Sequence, residues 1–204
     1  MNSTKKTLIQ ILEEEPFLMT DKNIVHYKKY NNTYPWMQFH SYIEHFYEDA
    51  FKEYQNRSNV KVCEIGIDVG GSISLLSKYF INGDIVGIDI HTNRLSEDNE
   101  QNKFNNVTYL IHDAYNTTFI DSLPMFDIII DDGPHTFDSM LIFIEHYINK
   151  LNNGGLMVIE DIPNYEWIQY LKYFLPPNVN TNIIDLRNTD HVEDSLLLSI
   201  KKIT

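Results

Sequence analysis

Residues 60–72 read VKVCEIGIDVGGS. Val60 to Ile65 is a short apolar run interrupted only by Lys61 and Glu64, and it breaks into a loop holding Gly66, Gly70 and Gly71. A run of that length bounded by glycines predicts a strand buried on both faces, with a tight turn before a helix. Four similar runs follow: DIVGIDI, NVTYLI, FDIIID and LMVIED. Between them SISLLSKYF, RLSEDNEQNKF and TFDSMLIFIEHYINKL carry helical patterns, and NNGG after the last predicts a glycine cap. Strand and helix alternating in this way predict an α/β fold with a mostly parallel sheet and helices on both faces. NIIDLR and DSLLLSIKK predict two further strands, an antiparallel pair at the sheet edge, for about seven strands in all.

Upstream, MNSTKKTLIQILEEEPF predicts an amphipathic helix in place of a signal peptide, since acids follow the apolar residues within a turn. DKNIVHYKKYNNTYPW reads as irregular. SYIEHFYEDAFKEYQ places Tyr42, Ile43, Phe46, Tyr47, Ala50, Phe51 and Tyr54 at helical spacing, which predicts a helix packed by one apolar face. The expected organisation is one globular domain, with residues 1–58 as a helical and irregular segment against a core of residues 59–204.

A chain of 204 residues, 43% of them hydrophobic, suits one core. Its formal net charge of −13 disfavours nucleic acid and anionic membrane surfaces, which require basic faces. No apolar run approaches a bilayer span. The single cysteine, Cys63, lies within the first strand run, so no disulfide forms within the chain. A soluble protein of the reducing cytoplasm is the expectation, with homo-oligomerisation left open.

In open parallel sheets ligands bind beyond the carboxyl ends of the strands. The first such loop has Glu64, Gly66, Gly70 and Gly71, which does not match the G-x-G-x-x-G spacing of dinucleotide sites. Glu64 would repel a pyrophosphate and attract an ammonium or sulfonium. A Tyr and a Lys four apart, as nicotinamide chemistry of the short-chain dehydrogenase kind needs, is absent: none of the 13 tyrosines has that partner. Ser72 is placed to cap the next helix. Asp89 and Asp113 end the second and third strand runs, where acids also serve as caps or turn residues.

The fourth run delivers Asp131, Asp132 and His135, and the fifth delivers Glu160 and Asp161. If these strands are neighbours, the two acidic pairs converge and repel unless a cation lies between them. Oxygen donors of this kind favour Mg²⁺, with Mn²⁺ and Ca²⁺ as alternatives. Solvated acids or a helix cap at Asp132 are the plain structural alternative. Imidazole titrates near neutral pH, so His135 suits proton transfer.

The E-x-G-x-x-x-G pattern resembles the motif of class I S-adenosylmethionine (SAM) methyltransferases. TDK at Thr20–Lys22, HSYIEHFYEDAF, EIGIDVGGS, GDIVGIDI, FDIIIDDGPHTFD, GGLMVIEDI and DLR followed by DSLLLSIKK resemble the metal-dependent sugar O-methyltransferases of the MycE/TylF type. That resemblance implies a Rossmann-like class I methyltransferase fold and a methyl-donor site at Glu64, Gly66, Gly70, Ser72, Asp89, Asp113 and Asp131. Asp89 would serve the ribose hydroxyls, and Asp113 would lie near the adenine. It further implies Asp132, Glu160 and Asp161 as metal ligands and His135 as general base. The expected acceptor is a sugar hydroxyl on a nucleotide-sugar, glycan or glycosylated metabolite, with aromatic walls from the Tyr27–Trp36 segment, Tyr165 and Trp167. Catechol-type O-methyltransferases are similar, with a lysine where His135 stands. A metal-dependent carbohydrate-binding module or an oligomer-forming scaffold subunit without transfer is the remaining alternative. The chain departs from the sugar family in a longer stretch at residues 23–39, in Pro134 where serine is common, and in the N-terminal region of the macrolide enzymes, which is larger than its own.

Overall fold

The computed structural model describes residues 5–14, 41–68, 70–91, 104–190 and 195–203. The expected helix at RLSEDNEQNKF and the Tyr27–Trp36 segment lie outside the described residues, save Phe104 at the end of the former. In chain order the elements are α1 (Leu8–Glu14), a π turn (Ile43–Tyr47) leading into α2 (Glu48–Gln55), β1 (Lys61–Ile65), α3 (Gly71–Tyr79), β2 (Asp84–Asp89) and β3 (Val107–Ile111). They continue with α4 (Thr117–Ser122), β4 (Phe126–Asp131), α5 (Phe137–Ile142), a second π turn (Phe143–Tyr147), β5 (Leu151–Ile159), α6 (Tyr165–Tyr173), β6 (Val179–Asp185), α7 (Arg187–Asp190) and β7 (Leu196–Lys202).

The strands form one sheet in the order β3-β2-β1-β4-β5-β7-β6. β1 to β5 pair in parallel, and β7 runs antiparallel between β5 and the edge strand β6. The seven strands and the antiparallel pair are those expected from the apolar runs. Side chains alternate along a strand, so each strand divides its residues between two cores. Val62, Ile128, Ile130, Leu156 and Val158 join α1, α2 and α3 on one face. Cys63, Ile65, Ile129, Met157 and Ile159 join α4, α5 and α6 on the other.

The chain leaves β1 towards β2 and β3 and returns to the opposite side as β4, which opens a crevice at the carboxyl ends of β1 and β4. One expectation fails here. NNGG does not cap a helix; it lies inside β5, where the register jumps from Phe126↔Leu151 to Ile128↔Leu156 and Gly154 adopts φ 70°. The extra residues form a bulge, which uses the same glycine freedom as a cap.

Candidate active site

β1 and β4 place their last residues side by side, Ile65 against Asp131, and β4 and β5 do the same with Asp131 against Ile159. Backbone hydrogen bonds carry the ladder one step further: Asp132 N–H donates to Ile65 C=O and Glu160 N–H to Asp131 C=O. The two acidic pairs therefore converge at one edge, as expected if β4 and β5 are neighbours. Gly66 adopts φ 85°, and a Cβ there would meet the Asp132 carbonyl oxygen at 1.9 Å. Only glycine lets the first loop lie this close to the acids.

Asp132, His135 and Asp161 each offer a ligand atom, all within 4.8 Å of one another. His135 Nε2 lies 3.6 Å from Asp132 Oδ1 and 3.9 Å from Asp161 Oδ2. Both His135 (φ 51°) and Asp161 (φ 52°) adopt left-handed backbone that non-glycine residues enter at a cost. That strain is held at two members of one cluster. Thr136 caps α5 through a reciprocal pair with Ser139, which fixes the far side of the His135 loop.

Glu160 is only 7% exposed, and its carboxylate accepts a hydrogen bond from the Tyr47 hydroxyl. Of the expected ligand trio, Asp132 and Asp161 gather with His135, and Glu160, the residue before Asp161, is oriented by Tyr47. Desolvation first, and then Glu160 and Asp161, hold Asp132 well above the ordinary carboxylate pKa, although its side chain keeps 39% exposure to the crevice. Burial and then Asp161 do the same to Glu160. The charges that act on both are other carboxylates, a repulsion that a cation between them would relieve.

On the β1 side Glu64 is 2% exposed and accepts a hydrogen bond from Ser72 through Oε1. Its Oε2 is buried without a hydrogen-bond partner, and burial pushes the carboxyl pKa up to about 7. Ser72 therefore does not cap α3; Gly70, at φ 83°, occupies that position, and the serine hydroxyl is spent on Glu64. Asp89 accepts from the Ile67 N–H at 3.0 Å and the His91 N–H at 2.8 Å, so it braces the glycine loop. Asp113 is exposed and accepts from the Tyr115 N–H at 2.9 Å in a local turn. Asp131 is held by the Tyr115 hydroxyl, and its pKa rises to about 7 through burial.

The site thus holds Glu64 and Ser72 in contact, Asp131, Asp132, His135 and Asp161 on the neighbouring loops, and Glu160 behind them. Asp89 and Asp113 stand after β2 and β3, engaged with backbone. Tyr165 donates to Asp185 at 2.9 Å and Trp167 packs edge-on against Phe137 at 5.4 Å. Sequence reasoning missed Tyr42, Tyr47 and Tyr115, read there only as apolar positions or not at all. A buried phenol needs a hydrogen-bond acceptor, and that was the available signal. An orphaned carboxylate oxygen on Glu64 fits a ligand with a cationic or donor group. The carboxylate oxygens of Asp132 and Asp161 fit a hard divalent cation, with the His135 imidazole beside them.

Residues 63–162 match the family described as a methyltransferase domain. Demethylmacrocin O-methyltransferase of Streptomyces fradiae is 31% identical over 143 residues, 65% of this chain and 34% of that protein. Mycinamicin VI 2''-O-methyltransferase of Micromonospora griseorubida is 30% identical over 136 residues, 59% of this chain and 31% of that protein. The chain spans about a third of the length of these curated sugar O-methyltransferases. Among solved structures, the MycE methyltransferase in complex with Mg, SAH and mycinamycin VI superposes with a TM-score of 0.62 at 22% identity, over 79% of this chain and 49% of that one. A fibrillarin/Nop5p complex superposes at 0.58 and 16% identity over 72% and 74%, which extends the likeness of fold alone. Residues 63–162 thus carry the methyltransferase-domain match, and the chain is similar over part of its length to these sugar O-methyltransferases.

Proposed function

We propose that this methyltransferase transfers a methyl group from SAM to a hydroxyl of a sugar carried on a small molecule, with a divalent cation, Mg²⁺ foremost, at the acceptor. The observation that carries the reading is the meeting of Asp132, His135 and Asp161 within 4.8 Å at the crevice edge. Asp132 and Asp161, with Glu160 beside them, would hold the cation. Glu64, through its unpartnered Oε2, would receive the cationic end of the methyl donor beside Gly66, Gly70 and Ser72. Asp89, Asp113 and Asp131 would complete that side.

When bound, the cation lowers the pKa of an acceptor hydroxyl and orients it, and SAM supplies the electrophilic methyl group. His135 Nε2, between Asp132 and Asp161, takes the hydroxyl proton as the oxygen attacks the methyl carbon and the methyl–sulfur bond of SAM breaks, leaving SAH. The left-handed backbone at His135 accompanies a ring whose Nε2 lies between Asp132 and Asp161. Among the described residues no helix is long and apolar enough to cross a membrane.

The test is transfer of labelled methyl from SAM to a panel of glycosylated metabolites, nucleotide-sugars and catechols, with Mg²⁺ and after chelation. The reading expects label on a sugar hydroxyl that chelation abolishes. Label on phenols alone would move the acceptor to the catechol class. Absence of both SAM binding and transfer would favour a carbohydrate-binding module or a scaffold subunit.

A further inference from the structure

We propose that Tyr42 and Tyr47 are positioning residues, a pair of phenols on one turn of helix that orients Glu160 and Asp161 to receive a divalent cation. The inference rests on the metal reading of the site given above. Tyr42 Oη donates to Asp161 Oδ1 at 2.5 Å, and Tyr47 Oη donates to Glu160 Oε1. Both rings are almost fully buried, at 2% and 3% exposure.

Two features of backbone make this pairing work. In an α-helix residues five apart diverge by about 140°, so Tyr42 and Tyr47 would point to different sides. The π turn at Ile43–Tyr47, closed by Glu48 N–H donating to Ile43 C=O, widens the helix and returns them to one face. Beyond β5, the φ of 52° takes Asp161 out of strand alternation, so adjacent acids are reached from one helix. The strained residue and the irregular turn face each other across the same two hydrogen bonds.

A phenol is the suitable donor for this task. Lysine or arginine would neutralise the acids and occupy the place of the cation, whereas a neutral hydroxyl orients a carboxylate and leaves its charge. Asp161 Oδ1 is engaged by Tyr42, and Oδ2 is the oxygen that faces His135. A phenol is protonated near neutral pH and so is a donor to a carboxylate. Partners behind metal ligands commonly set metal affinity in this way.

The experiment is a Mn²⁺ titration of purified protein, read by the electron paramagnetic resonance of free ion, on wild type, Tyr42→Phe, Tyr47→Phe and Tyr147→Phe. Phenylalanine keeps each ring in its packing, and thermal unfolding checks the fold. Tyr147 is an equally buried phenol whose hydroxyl donates to Ala114 C=O at 2.8 Å and not to Glu160 or Asp161, and serves as control. The expected result is about a 10- to 100-fold loss of Mn²⁺ affinity in each of the first two variants. S-adenosylhomocysteine (SAH) affinity under chelation should stay unchanged, and Tyr147→Phe should match wild type. Wild-type Mn²⁺ affinity in Tyr42→Phe and Tyr47→Phe, or an equal loss in Tyr147→Phe, would overturn the proposal and leave the metal site standing. Failure of wild type itself to bind Mn²⁺ would remove both.

Discussion

Glu64, next to last in β1, and Glu160, just beyond β5, are 2% and 7% exposed and border one small cavity beneath α1 and the first π turn. Their partners differ. Glu160 is engaged by Tyr47, whereas Glu64 has Ser72 on one oxygen and nothing on the other. The crevice therefore has two halves, one with acids oriented from behind by phenols, the other with a buried acceptor awaiting a donor. A carboxylate left in that second state destabilises the fold until a ligand arrives, which is how a site is kept ready at the expense of stability.

If the halves are separable, the largest effect belongs to the residue at the acceptor. His135→Ala should slow methyl transfer by about 10² to 10⁴ while leaving SAH binding intact, as steady-state rates and calorimetry would show. Near-normal turnover would remove His135 from the mechanism.

The second test concerns the cost of Glu64. Its folded pKa of about 7 lies above the unfolded value, so the associated stability is present in acid and lost as pH rises through about 7. In ligand-free protein Glu64→Gln should match wild type near pH 4 and exceed it at pH 8 by about 3 kcal/mol. Urea unfolding at both pH values checks this, and equal stability at pH 8 would mean that Glu64 is solvated.

Asp132→Asn addresses the other half. A lost partner behind a metal ligand costs about 10- to 100-fold in affinity, and loss of a ligand should cost no less. Excess Mg²⁺ should restore part of the activity, and an unchanged metal requirement would count against the assignment. The smallest effect is expected for donor binding in Glu64→Gln, about a tenfold rise in the dissociation constant for SAM with metal affinity unaltered.

The sequence was more informative about the sheet than about the devices that tune the site. VKVCEIG, FDIIID and LMVIED read correctly because buried parallel strands are continuous apolar runs, and the acids at their ends follow from where such strands stop. NNGG was misread because glycine in left-handed backbone serves a helix cap and a strand bulge alike. The π turns left no mark in an apolar pattern consistent with an ordinary helix, so the shared face of Tyr42 and Tyr47 was hidden. Ser72 looked like a cap because nothing in the sequence shows that the cap is Gly70, two residues earlier, with α3 beginning at Gly71. Asp89 and Asp113 fit both the ligand and the turn reading, and their oxygens accept from backbone N–H groups.

The central claim is that the β1 half binds the methyl donor independently of the metal half. Calorimetric titration of the purified protein with SAH, once with Mg²⁺ and once after chelation, tests it most directly. The account predicts binding at micromolar strength in both conditions. No binding in either would contradict it and leave the acidic cluster as a metal site serving another chemistry.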